Sequence, residues 1–141
     1  MLNLNGEIYF EEFDETIIPR MNYESFKKTT LFRKSKNRTI NQLYPIFTLP
    51  DIVTGNKKIG FQIFFHEDFE ATYITVFDRN ACPKSWEDYS TEKEKSGNES
   101  TREWIETICK VYVGKHKWGK ISLDYDFKNG THDWGISYSK K

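Results

Sequence analysis

An excess of charge of either sign is the first thing this sequence lacks. Lysine plus arginine number 21, aspartate plus glutamate number 21, and the formal net charge is zero. A protein devoted to nucleic acid carries a clear basic excess, and this chain has none overall. Cysteine is scarce. Cys82 and Cys109 stand alone with no metal-ligand spacing, which argues against a disulfide framework and a zinc cage and for two reduced thiols in a cytosolic protein. Residues 1–19 contain no Lys or Arg and no long apolar run, so neither a signal peptide nor a membrane span is expected, and the expected location is the cytoplasm. Also missing are a glycine-rich phosphate loop, a His-x-x-x-His or Cys-x-x-Cys pair, a nucleophile elbow and any internal repeat. No cofactor or metal is expected. Hydrophobic residues make up 37% of the chain, but aromatics reach 16%, with eleven Phe, eight Tyr and four Trp. Within 141 residues this predicts a single domain, 1–141, whose core is built from few, large side chains.

The most legible stretch is Lys117 to Tyr138, which reads as a β-hairpin. Ile121, Leu123, Tyr125 and Phe127 alternate with polar residues. Asn129-Gly130 follows, a pair suited to a two-residue turn in which both positions take φ > 0. His132, Trp134, Ile136 and Tyr138 alternate on the return strand. A turn pairing Lys128 with Thr131 sets Tyr125 opposite Trp134, Leu123 opposite Ile136 and Ile121 opposite Tyr138 on the buried face. The outer face then carries Asp124, Asp126 and Asp133, with Asp126 across from Asp133.

Upstream, Glu7–Phe13 reads as a strand with Ile8 and Phe10 on one face, followed by an acidic bend of Glu11, Glu12, Asp14 and Glu15. Tyr23–Phe32 fits a short helix turn or a strand equally well. Lys27, Lys28, Arg33, Lys34, Lys36 and Arg38 fall in a segment without a carboxylate, and Arg33–Arg38 reads as a loop. Leu43–Val53, broken by Pro45 and Pro50, suggests an irregular edge strand. Ile59–Phe65 and Phe69–Phe77 continue an antiparallel meander. Ser85-x-x-Asp88 can open a short helix carrying Trp86 and Tyr89. Ser90–Glu99 contains no apolar residue and predicts a mobile loop. Ser100-x-x-Glu103 is a capping box. Trp104, Ile105, Ile108, Val111 and Tyr112 follow at helical spacing, with Gly114 placed to end the helix.

Three constellations compete for function. The first is the carboxylate face of the hairpin, since like charges facing each other across a sheet destabilise it; it fits a solvated outer face screened by salt and lysines as well as it fits a basic partner, and either better than a metal cage. The second is His66-Glu67-Asp68, a histidine beside carboxylates that suits a general base. The third is the set of aromatics in or near loops, Tyr9, Tyr23, Tyr44, Tyr89, Trp86 and Trp118, which are the residue types that anchor protein interfaces. The 27–38 basic segment, flanked by Phe26 and Phe32, keeps a small nucleic-acid-binding module as the runner-up.

The end of the chain, Lys117-Trp118-Gly119-Lys120-Ile121-Ser122-Leu123-Asp124-Tyr125-Asp126-Phe127-Lys128-Asn129-Gly130, preceded by a Trp-bearing helix closing on Val113-Gly114-Lys115, resembles immunity proteins of bacterial contact-dependent growth inhibition and related polymorphic toxin systems. The resemblance covers the general plan of the chain and is specific from about Asn98 onward. It implies a protein without catalytic residues that binds and blocks the toxin domain of a cognate effector, such toxins frequently being nucleases. Candidate contact residues are Asp124, Asp126 and Asp133 with Glu11, Glu12, Asp14 and Glu15. The expected fold is α+β, a mainly antiparallel twisted sheet of about five or six strands with the Ser100–Val113 helix on one face.

Overall fold

The computed structural model describes residues 1–39, 43–66, 68–81, 87, 89–126 and 131–140, with the backbone alone at 126 and 131. A small hairpin comes first, β1 (Ile8–Phe10) and β2 (Glu15–Ile17). Two short helices, α1 (Tyr23–Phe26) and α2 (Thr30–Lys34), lead into β3 (Lys36–Asn37). A meander of β4 (Ile46–Thr54), β5 (Lys57–His66) and β6 (Glu70–Asp78) follows. Then come α3 (Thr91–Glu103), a π-helical turn (Trp104–Ile108), β7 (Gly114–His116), β8 (Gly119–Asp126) and β9 (Thr131–Tyr138). The fold is α+β as expected, with more strands. Among the described residues β1 and β2 form their own sheet, and seven strands form a second in the order β3-β4-β5-β6-β9-β8-β7. Every neighbouring pair is antiparallel. Among the described residues no helix is long and apolar enough to cross a membrane.

The registers explain why this sheet has one dry face. Phe47, Ile63, Ile74, Ile136 and Ile121 are successive cross-strand partners, and Leu49, Phe61, Val76 and Trp134 form the next row on the same side. All nine are buried. Aromatic side chains from outside the sheet pack on this side. Phe10 of β1 meets Phe61 edge-on, Phe26 of α1 tilts against Phe47 and Phe65, Phe32 of α2 meets Phe47, and Trp104 meets Phe61. The largest fully buried side chains are therefore aromatic, and edge-to-face packing adds to the area they bury.

Several expectations need correction. The hairpin ladder closes at Asp126 and Thr131, two residues short of the expected register, so Leu123 faces Trp134 and Ile121 faces Ile136. The connecting residues 127–130, and with them the Asn129-Gly130 turn, lie outside the described residues. A slip of two preserves the face of every side chain because strand periodicity is two. At the far end Gly119 (φ +152°) takes a position where a Cβ would stand 1.8 Å from the Ser137 carbonyl oxygen, so this register needs glycine there. Leu123 and Tyr125 are on the expected face but run beyond the core, at 42% and 46% exposure. The β4 strand, expected at the edge, has the two-residue β3 outside it, and Pro50 sits in the break of register between Leu49 and Ile52, where a missing N–H costs no ladder bond. The basic run expected as a loop is divided between α2 and β3.

The largest correction concerns Ser90–Glu99, which is helix and not mobile loop. Ser90 caps α3, its Oγ accepting from Lys93 N at 3.1 Å, and Glu92 and Glu94 lie in the first turn, where the helix dipole favours them. Apolar periodicity misses this helix because small and polar residues bind it to the sheet. Gly97 and Thr101 are its buried residues. Asp78 N donates to Thr101 Oγ1 at 3.0 Å, and Thr101 donates on to Gly97 O at 2.8 Å. Beside them Lys57 Nζ donates to Ser100 Oγ (2.6 Å) and Ser100 O (3.1 Å), and Ser100 Oγ donates to Asp78 Oδ2 at 2.6 Å. Lys58 N and Asn80 N satisfy the other oxygen of Asp78. The helix does not run from Ser100 to Val113. After Glu103 it widens into the π-turn, with Cys109 N bonding Trp104 O at 2.8 Å, which rolls Trp104 and Ile105 into the core. Gly114 opens β7 rather than capping a helix.

Candidate protein-binding face

The second face of the large sheet is where Asp124 and Asp133 fall. Its central row is Thr48, Gln62, Thr75, Gly135 and Ser122, again successive cross-strand partners. The neighbouring row is Ile46, Phe64, Tyr73, Ser137 and Lys120. Among the described residues no helix or strand is packed over it. Two glycines let aromatic rings lie flat on this surface. A Cβ at Gly135 would meet Tyr73 Oη at 2.0 Å, and one at Gly60 would meet the Phe77 ring at 2.7 Å. Tyr73, spread across Gly135, reaches Asp124 and donates to its Oδ2 at 2.7 Å, while Ser122 Oγ donates to Oδ1 at 2.8 Å. Asp124 is the cross-strand partner of Asp133, which corrects the expected Asp126–Asp133 pair; Asp126 pairs through its backbone with Thr131. Elsewhere on the face carboxylate and cation are already matched, Asp51 pairing with Arg79 at 2.6 Å and with Lys58 at 3.9 Å. Asp124 has hydroxyl donors, and among the described residues no cation reaches it.

This geometry carries a prediction. Gly135→Ala should lift the Tyr73 ring off the sheet and release Asp124, at a cost of about 1–2 kcal/mol for overpacking, readable as a lower denaturation midpoint. An unchanged midpoint would mean the ring does not rest there.

The expected acidic bend divides by role. Glu15 is used within the fold, since its carboxylate accepts from Thr30 N at 2.8 Å and Leu31 N at 2.9 Å, closing the N-terminus of α2. Asp14 (φ 51°) accepts from Tyr9 Oη at 2.8 Å, which raises the tyrosine's pKa by stabilising its protonated form. Glu11 and Glu12 are exposed. None of these is brought next to Asp124.

The His66-Glu67-Asp68 candidate does not assemble in what is described. The His66 ring packs on Tyr44 at 4.5 Å, Asp68 lies 3.7 Å from Lys140 on the surface, and Glu67 is outside the described residues. In the basic segment Lys27 pairs with Glu24 at 3.0 Å and Arg33 donates to Thr30 at 2.8 Å. Trp118 is partly engaged within the fold: it donates to Leu4 O at 2.8 Å and its ring covers Gly6. Cys109 is a free thiol whose pKa is pushed up to about 11 by burial, which disfavours the thiolate; Cys82 and Trp86 lie outside the described residues, as do Ser85 and Asp88. Among the described residues no group of His, Cys, Asp or Glu is placed to hold a metal ion.

A second feature, unforeseen from sequence, borders the hairpin. Glu94 of α3 accepts from Tyr89 Oη at 2.8 Å and from His132 N, and stands 3.5 Å from His132 Nδ1. Asn98 accepts from Trp134 Nε1 at 2.9 Å and donates to His132 O at 3.0 Å. These bonds tie α3 to β9. Burial pushes the Glu94 carboxyl up, but the donors from His132 and Tyr89 outweigh it and hold its pKa below the ordinary range. A depressed carboxylate stabilises the fold at every pH above the ordinary carboxyl value of about 4, and loses that contribution as pH falls through the lowered value. Glu94→Gln should therefore lower the melting temperature at neutral pH and converge with wild type in acid. Parallel curves across that window would remove Glu94 from the acid response. No protein-family model, curated protein or solved structure matches the chain.

Proposed function

We propose that this chain is an inhibitory binding protein of the immunity type that its C-terminal segment resembles, acting in the cytoplasm without catalysis, cofactor or metal, and holding a basic toxin domain against the open face of its large sheet. The observation that carries the reading is Asp124. Its carboxylate is held in place by Tyr73 and Ser122, faces Asp133 across the strands, and no described cation offsets it. Adjacent like charges on a sheet are a local cost, and a partner with lysines or arginines converts that cost into attraction. A nuclease must be basic to hold phosphate, so an inhibitor with a fixed acidic patch fits its cleft and speeds encounter.

The test is co-purification with the product of the adjacent reading frame. Expected is a complex that survives moderate salt, because a packed protein interface loses less than a phosphate-binding one. Binding of nucleic acid with a steep salt dependence that is abolished by changing Lys27, Arg33 and Lys36 would replace this reading with the nucleic-acid module.

A further inference from the structure

The two sides of the large sheet are guarded differently. β4 extends past β3, which covers only Phe47 and Thr48, but its uncovered length carries Pro50 and the break of register. Those are devices that stop an edge from accepting another strand. β8 extends past β7, which covers only Gly119 to Ile121. Its own pairing with β9 is continuous from Gly119 to Asp126, it holds no proline, and among the described residues no strand adds to its outer edge beyond Ile121. The two-residue turn between His116 and Gly119 makes those residues a hydrogen-bonded pair. By alternation the backbone N–H and C=O of Leu123 point outward. Beside them lies a cleft of about 370 Å³, with Leu123 and Trp134 on one wall and Lys95, Asn98 and Arg102 of α3 on the other.

Resting on the inhibitory-binding reading above, we propose that the partner is received by strand addition: an extended segment of the toxin domain pairs with β8 beyond Ile121, setting a basic side chain beside Asp124 and apolar side chains in the cleft against Leu123 and Trp134. Main-chain bonds supply affinity in this mode, and alternate side chains supply specificity. The charge pattern selects the occupant. With Asp124 on one face of the edge and Leu123 on the other, the matching strand alternates basic and apolar residues. A second copy of this chain would bring its own Asp124 to the same edge, where like charges repel.

The experiment is amide hydrogen exchange of the full chain, alone, with the adjacent-frame product, and with a short peptide of alternating Lys and Val. A peptide of alternating Lys and Pro, equal in charge but poorer in N–H donors, is the control. Expected are slowed exchange at Leu123 with either strand-forming partner, no protection from the Lys-Pro peptide, and binding weakened about tenfold or more by Leu123→Lys with an unchanged melting temperature, since Leu123 is 42% exposed. If the adjacent-frame product binds and protects other amides, strand addition is overturned and the inhibitory function stands. If that product does not bind, the functional reading fails, and the peptide decides the edge: protection at Leu123 supports strand addition, and its absence overturns it. Concentration-dependent protection of the chain alone overturns the proposal in favour of a second copy.

Discussion

Asp78→Ala should lower the unfolding free energy by about 3 kcal/mol. Asp78 is 2% exposed and is the acceptor on which three donors converge: Ser100 Oγ, Lys58 N and Asn80 N. Through Ser100 it also balances Lys57, whose ammonium is enclosed against α3 with Glu103 at 3.5 Å on its outer side. Removing the carboxylate leaves those donors without an acceptor, and an orphaned group bound to a buried charge costs about 1–3 kcal/mol, more for the charge itself. Asp78→Asn keeps one oxygen for the backbone donors and should cost less. Lys57→Met added to Asp78→Ala should recover part of the loss, because the two changes share one network. Urea denaturation of the three variants reads all of this. An Asp78→Ala midpoint equal to wild type would show that α3 is held by something other than this clasp.

Trp104→Ala should cost about 3–5 kcal/mol, the range for a large aromatic removed from a core. The side chain is fully buried and lies edge-on to Phe61 with centroids 5.9 Å apart. Trp104→Phe should cost far less than its lost volume suggests. The indole Nε1 is buried with no hydrogen-bond partner among the described residues, so wild type already carries a desolvation cost that phenylalanine removes. Equal losses for the two variants would mean that the indole nitrogen is satisfied.

Which parts of this protein can be read from its residues depends on what holds each part. Strands that bury one face in water-exposed sheets write their alternation into the sequence. Ile59, Phe61, Ile63 and Phe65 are legible for that reason and are all buried. The hairpin's faces were legible on the same ground, but its register was not, since a slip of two leaves the alternation unchanged and the deciding feature is a close approach at Gly119. The first nine residues of α3 were illegible because Gly97, Asn98, Ser100 and Thr101 join the helix to the sheet by close contact and hydrogen bonds rather than by an apolar stripe. Its cap, Ser90, was a usable signal that the charged composition masked. At the candidate site the sequence pointed to the outer-face carboxylates. It could not show that Tyr73, remote in sequence, would reach across Gly135 to hold Asp124, or that Glu15 would be engaged by α2.

The central claim is that a fixed carboxylate patch on the open face captures a basic protein. The most direct measurement is the association rate of the adjacent-frame toxin domain with wild type and with Asp124→Asn/Asp133→Asn, at low and at physiological salt. The account predicts that the variant stays folded, the relief of the facing charges offsetting in part the acceptor oxygen that Asn at 124 withdraws from Tyr73 or Ser122. It also predicts that the association rate falls about tenfold or more at low salt, and by less when salt screens the attraction. An association rate that is the same for both proteins at both salt concentrations would contradict it.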